Sequence, residues 1–170
     1  MKWSKLKQNV QEKFADSVKG RVEIFTTRYN KPNSSTGRAW ITIDGIEIVN
    51  FSTMKSGQIY KCIYHEATPT NCKTHPKVEA ENRTPGQLLE QGEFSRFDLH
   101  KCCFEYLNLT VDEGLEHASP IINSLAVLDK RLGKRRLPLI DRQLLHPLTR
   151  RLLEFRLSVE GLLNTRNVEV

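Results

Sequence analysis

The chain has 170 residues, of which 38% are hydrophobic and 27% charged, with a formal net charge of +6. That length suits one core, and the balance is too apolar for a disordered polyelectrolyte, so one folded domain spanning 1–170 is expected. No run approaches the roughly 18 consecutive apolar residues of a bilayer span, and Met1-Lys2-Trp3-Ser4-Lys5-Leu6-Lys7 is not followed by the apolar stretch of a secretory signal, so the reading is a cytoplasmic protein with reduced thiols and no membrane partner.

In chain order, Ser4 is placed to cap a helix whose apolar residues Leu6, Val10, Phe14 and Val18 recur every fourth position until Gly20. From Arg21 the period drops to two: Val22, Ile24 and Thr26 alternate with Glu23, Phe25 and Thr27, which predicts a strand with one buried face. After a polar loop, residues 39–43 and 46–51 flank Asp44-Gly45, a pair that accepts the positive φ of a type I′ turn and so predicts a hairpin. Trp3 and Trp40 are expected to fix the helix and the sheet to each other. Residues 59–65 fit either a fourth strand or part of a helix running from Thr53. Residues 67–83, with Pro69, Pro76 and few large apolar groups, read as a loop.

From Thr84 the period is helical. Thr84-Pro85 offers a cap and a first-turn proline, and Ser95 with Asp98 opens a helix bearing Leu99, Cys102, Cys103, Tyr106 and Leu107. Thr110-Val111-Asp112-Glu113 has the spacing of a capping box. Ser119-Pro120 starts a helix with Ile121, Ile122, Leu125, Leu128 and Leu132 on one side, ended by Gly133, and His146-Pro147 precedes a stripe of Leu148, Leu152, Phe155, Val159 and Leu162. The expected fold is α+β: an N-terminal helix with a three-stranded antiparallel meander, four-stranded if 59–65 joins it, then a C-terminal helical array over 84–170.

Charge is unevenly spread. Between Asp129 and Arg156 the cations Lys130, Arg131, Lys134, Arg135, Arg136, Arg142, Arg150, Arg151 and Arg156 face only Asp129, Asp141 and Glu154, a surplus equal to the +6 of the whole chain. On one face these nine would hold an acidic protein surface or phosphates, because guanidinium groups offer forked donors and a fixed charge. The bland alternative is a solvated helix flank whose last-turn cations complement the helix dipole, or pairing with the acidic stretch 98–116.

Cys62-Ile63-Tyr64-His65 and Cys72-Lys73-Thr74-His75 form two Cys-x-x-His units, and thiolate and imidazole are zinc ligands, so Cys62, His65, Cys72 and His75 are a candidate structural zinc set. The competing reading is buried small hydrophobes and loop histidines. Cys102 or Cys103 beside His100 or His65 would be needed for a nucleophilic pair, against the plainer reading of two thiols on the buried side of a helix. Phosphate-cradling glycine loops, Gly-x-Ser-x-Gly and His-Glu-x-x-His are absent from the sequence.

The opening Met1-Lys2-Trp3-Ser4-Lys5-Leu6-Lys7, the segments Lys19-Gly20-Arg21-Val22-Glu23 and Phe104-Glu105-Tyr106-Leu107-Asn108-Leu109, and the string Leu128-Asp129-Lys130-Arg131-Leu132-Gly133-Lys134-Arg135-Arg136-Leu137 together resemble a family of small uncharacterised bacterial proteins. The resemblance spans most of the chain. It implies a bacterial cytosolic setting and carries no catalytic residue over. The functional expectation is a non-catalytic interaction protein that docks an acidic partner protein through the basic helical region, with a nucleic-acid-associated protein using the same surface as the alternative and a zinc-stabilised protein as the lesser one.

Overall fold

The computed structural model describes residues 1–28, 37–52, 54–55, 58–59 and 96–163. Helix α1 spans Trp3–Glu12 and buries Leu6 and Val10. It starts after Lys2, so Ser4 lies inside it, and it stops well short of Gly20. The cause is tertiary. Phe14 pairs with Asp129 in an isolated bridge, the Ala15 amide donates to the Leu128 carbonyl at 2.8 Å, and the Lys130 amide donates to the Lys13 carbonyl at 2.8 Å. Phe14 and Val18 are buried, as their spacing demands, but the chain reaches them through turns because a distant segment has taken the backbone groups that would continue the helix.

Strands β1 (Val22–Arg28), β2 (Gly37–Ile43) and β3 (Ile46–Ser52) form an antiparallel sheet in that order. The register sets Val22 against Ile43, Ile24 against Ile41, Ile41 against Val49 and Ala39 against Phe51, all buried. A shift after Ile41 leaves Ile48 as an extra residue on β3, so Ile48 and Val49 are both buried in succession. Asp44 (φ 50°) and Gly45 (φ 80°) adopt the two positive angles of the predicted hairpin, and Arg21 forks onto the Asp44 carboxylate at 2.8 and 2.6 Å. The tryptophans act differently from expectation. Trp40 stacks on Phe25 of the neighbouring strand (centroids 5.2 Å apart), whereas Trp3 stacks on His100 of a later helix (4.4 Å, 8° between planes).

Strands β4 (Met54–Lys55) and β5 (Gln58–Ile59) make a separate two-stranded ladder. Residues 60–65, the loop 67–83 and the helix expected after Thr84 lie outside the described residues.

The second half carries α2 (Arg96–Tyr106), α3 (Val111–Glu116), α4 (Pro120–Ala126), a 3-10 turn (Leu137–Leu139) and α5 (Pro147–Val159). The capping box forms in full: Thr110 Oγ1 accepts from the Glu113 amide while the Glu113 carboxylate accepts from the Thr110 amide. The His146 ring accepts from the Leu148 amide, capping α5. Helix α4 ends at Ala126, before the predicted stop at Gly133, again because the following backbone serves other partners. One buried cluster joins Leu6 and Phe14, the sheet's Ile24, Ile41 and Phe51, and Leu99, Ile122, Leu125, Leu152 and Leu157 of the helices. Each such side chain contributes about 1.5–3 kcal/mol on burial, so this cluster, not the surface ion pairs, holds sheet and helices together. Among the described residues no helix is long and apolar enough to cross a membrane.

Candidate functional site

The string Leu128 to Leu137, the most distinctive stretch of the sequence, begins as a structural knot. Asp129 is fully buried beneath the end of α4. Its carboxylate accepts from the Tyr106 hydroxyl at 2.6 Å and from Arg131 through Nε and Nη2 at 3.0 and 2.6 Å. Burial pushes the Asp129 carboxyl up, but those hydrogen bonds and the Arg131 charge outweigh it and hold the group below its ordinary range. Burial, then the bond to Asp129, raises the Tyr106 phenol. Arg131 also donates to the Leu109 carbonyl, and Lys13 donates to the Leu107 carbonyl at 2.8 Å, so the ends of α1, α2 and α4 meet at this point.

A second knot lies directly behind it. Arg156 sits on α5 with its side chain 2% exposed and donates to four acceptors: the carbonyls of Val127 (2.9 Å), Asp129 (2.8 Å) and Leu132 (2.7 Å), and Glu160 Oε1 (2.8 Å). These carbonyls belong to the turns that follow α4, and the Asp129 carbonyl also accepts from the Leu132 amide at 2.9 Å. Ser17 completes the set by donating to the same Glu160 oxygen at 2.7 Å. Burial pushes the Glu160 carboxyl up, yet the bonds from Arg156 and Ser17 bring it below its ordinary range.

The nine cations predicted as a surface therefore divide. Arg156 is a correction: it is interior and cannot reach a partner. Arg131 is bound to Asp129, Arg136 pairs with Asp112 of α3, and Arg150 donates to the Arg142 and Gln143 carbonyls at 2.8 and 3.2 Å. Arg142 is half-buried. Lys130, Lys134, Arg135 and Arg151 are exposed, and the Lys134 charge helps hold the Glu160 carboxyl down. Three of these four lie within six consecutive residues, 130–135, on the turn that the two knots support, with the partly exposed guanidinium groups of Arg131 and Arg136 beside them.

Cys102 and Cys103 are free and buried on α2. Burial pushes the Cys102 thiol up to about 11 despite a 3.3 Å contact with Ser119 Oγ, and raises Cys103 further, so both are poor nucleophiles. His100 stacks on Trp3, and its Nε2 is buried and has no hydrogen-bond partner among the described residues; burial, and then the Arg96 charge, lower its pKa. Cys62, His65, Cys72 and His75 lie outside the described residues. Among the described residues no group of three or more His, Cys, Asp or Glu side chains is placed to hold a metal ion.

Sequence reasoning missed the roles of Tyr106, Asp129, Arg156 and Glu160. Two signals were available. Asp129 directly follows the apolar run Leu125 to Leu128, and Arg156 continues the i, i+4 row of Leu148 and Leu152, which places it on the buried stripe of α5.

A family model matches residues 2–157, and the chain belongs to the SF0329 protein family. No curated protein and no solved structure matches it.

Proposed function

We propose that this SF0329-family chain is a non-catalytic, bacterial cytosolic interaction protein that docks an acidic protein through the turn at 130–136. What carries the reading is the concentration of Lys130, Lys134 and Arg135 on an exposed turn whose backbone is clamped from within by Arg156 and Asp129. A flexible basic tail would lose conformational freedom on binding. A turn already held by interior hydrogen bonds presents its charges at little further entropic cost. The muted thiols on α2 add weight to a binding role over covalent catalysis.

The test is affinity recovery of the full chain from its native cell, with both protein and nucleic acid analysed, alongside the charge-reversed variant K134E/R135E. The expected result is an acidic protein recovered with the parent chain, lost with the variant and weakened by salt. Equal recovery by both chains refutes the assignment of the surface. Recovery of nucleic acid in place of protein, lost in the same variant, transfers the surface to the nucleic-acid alternative.

A further inference from the structure

We infer that the basic turn and two leucines that follow it form one composite surface for an acidic, amphipathic segment of a partner protein. The inference rests on the docking reading above and adds the partner's chemistry. Leu139 is 82% exposed and Leu144 85% exposed, more than any other large hydrophobic side chain among the described residues. Neither lies on a loose strand of chain. Leu139 closes the 3-10 turn, its amide donating to the Arg136 carbonyl at 3.1 Å, and Leu137 at the start of that turn is fully buried and anchors it. Leu144 lies in a turn that Arg150 grips through the Arg142 and Gln143 carbonyls, and the Asp141 carboxylate accepts from the Gln143 amide at 2.9 Å. Ile140 and Leu145 pack against the core from the same stretch, so the fold draws in some of its apolar residues and leaves these two outside.

Charge complementarity names the sign of the occupant, and the leucines name its character. A nucleic acid would meet Lys130, Lys134 and Arg135 through its phosphates and gain nothing from Leu139 or Leu144. Protein interfaces combine an apolar centre with a charged rim, and a helix with carboxylates beside large apolar side chains offers both. Membrane-surface anchoring uses a long apolar helix face, which two side chains on short turns do not supply.

Two labelled synthetic peptides of equal negative charge distinguish these cases: one alternating Glu and Leu in helical heptads, the other with Ser in place of every Leu. Fluorescence anisotropy with the full chain at low ionic strength should show the Leu peptide binding about tenfold more tightly, the equivalent of partial burial of two leucines. The variant L139S/L144S should bring the Leu peptide down to the affinity of the Ser peptide, while K134E/R135E weakens both; unchanged circular dichroism and urea midpoints check that these exposed substitutions leave the fold intact. Equal affinity for the two peptides, with L139S/L144S neutral, overturns the composite surface and leaves cation-based docking standing. If K134E/R135E weakens neither peptide, or neither binds, the docking reading falls as well. Tighter binding to phosphatidylglycerol vesicles or to single-stranded RNA than to the Leu peptide, lost in K134E/R135E, also overturns the inference and gives the surface to that polyanion.

Discussion

Arg156→Met removes the guanidinium that ties α5 to the end of α4 while keeping a side chain of similar length and apolar character. The Val127 and Leu132 carbonyls then lose the guanidinium, the Asp129 carbonyl keeps only the Leu132 amide, and Glu160, 2% exposed in its side chain, loses its hydrogen-bonded counter-charge. Removing one member of a buried pair costs about 3–5 kcal/mol, far above the value of a surface pair, so a loss of about 4 kcal/mol is expected. For a chain of this length that corresponds to a fall in Tm of about 8–16 °C. Urea denaturation should show a lower midpoint at unchanged slope, because the surface exposed on unfolding is nearly the same. Arg156→Lys should lie between, since one ammonium cannot reach every acceptor of the planar fork. The pair should also couple: Glu160→Gln should cost less in the Arg156→Met background than alone, because the stranded charge is what it removes. A loss below about 1 kcal/mol, or strict additivity, would show that water or local rearrangement satisfies these groups and that the knot is not the anchor described.

Three further outcomes follow from particular contacts. A Cβ on Gly114 would meet the Ala126 Cβ at 2.9 Å, so Gly114→Ala should destabilise by about 1 kcal/mol despite the helix-propensity gain, and should become stabilising in an Ala126→Gly background; stabilisation in both backgrounds refutes the close packing of α3 on α4. His100 has a lowered pKa in the fold, so the unfolded chain takes up its proton first, and stability should fall as pH drops from about 7 through the unfolded value of about 6.5. His100→Phe, which retains an aromatic ring against Trp3, should flatten that slope in urea midpoints taken between about pH 5.5 and 7.5, a window that brackets the ordinary histidine value; an unchanged slope places the titration elsewhere. In a C62S/C72S variant, Cys102 and Cys103 should react with an aromatic disulfide reagent at about pH 8 only as fast as the chain opens, and a rapid phase equal to either thiol would contradict their burial.

The Asp44-Gly45 hairpin, the inner face of Val22 and Ile24, the Thr110 capping box and the start of α5 after His146 were all legible in the sequence. Each is governed by residues a few positions apart, through a φ preference, a two-residue period or a local side-chain bond. Where α1 and α4 end was not legible, because the apolar period runs on past both ends and the competing hydrogen bonds come from more than a hundred residues away in one case and from α5 in the other.

The candidate site divides along the same line. Hydrophobic periodicity and turn residues along the sequence established an α+β chain, and the placement of its charges a cationic stretch from Lys130 to Arg156. Tertiary structure decided which cations face outward: Arg156 and Arg135 are the same residue type, yet one fills a ring of carbonyl acceptors in the interior and the other stands in water. The reason is that a guanidinium is stable inside only where several acceptors converge on it, and such convergence is made by elements distant in sequence that no local pattern records.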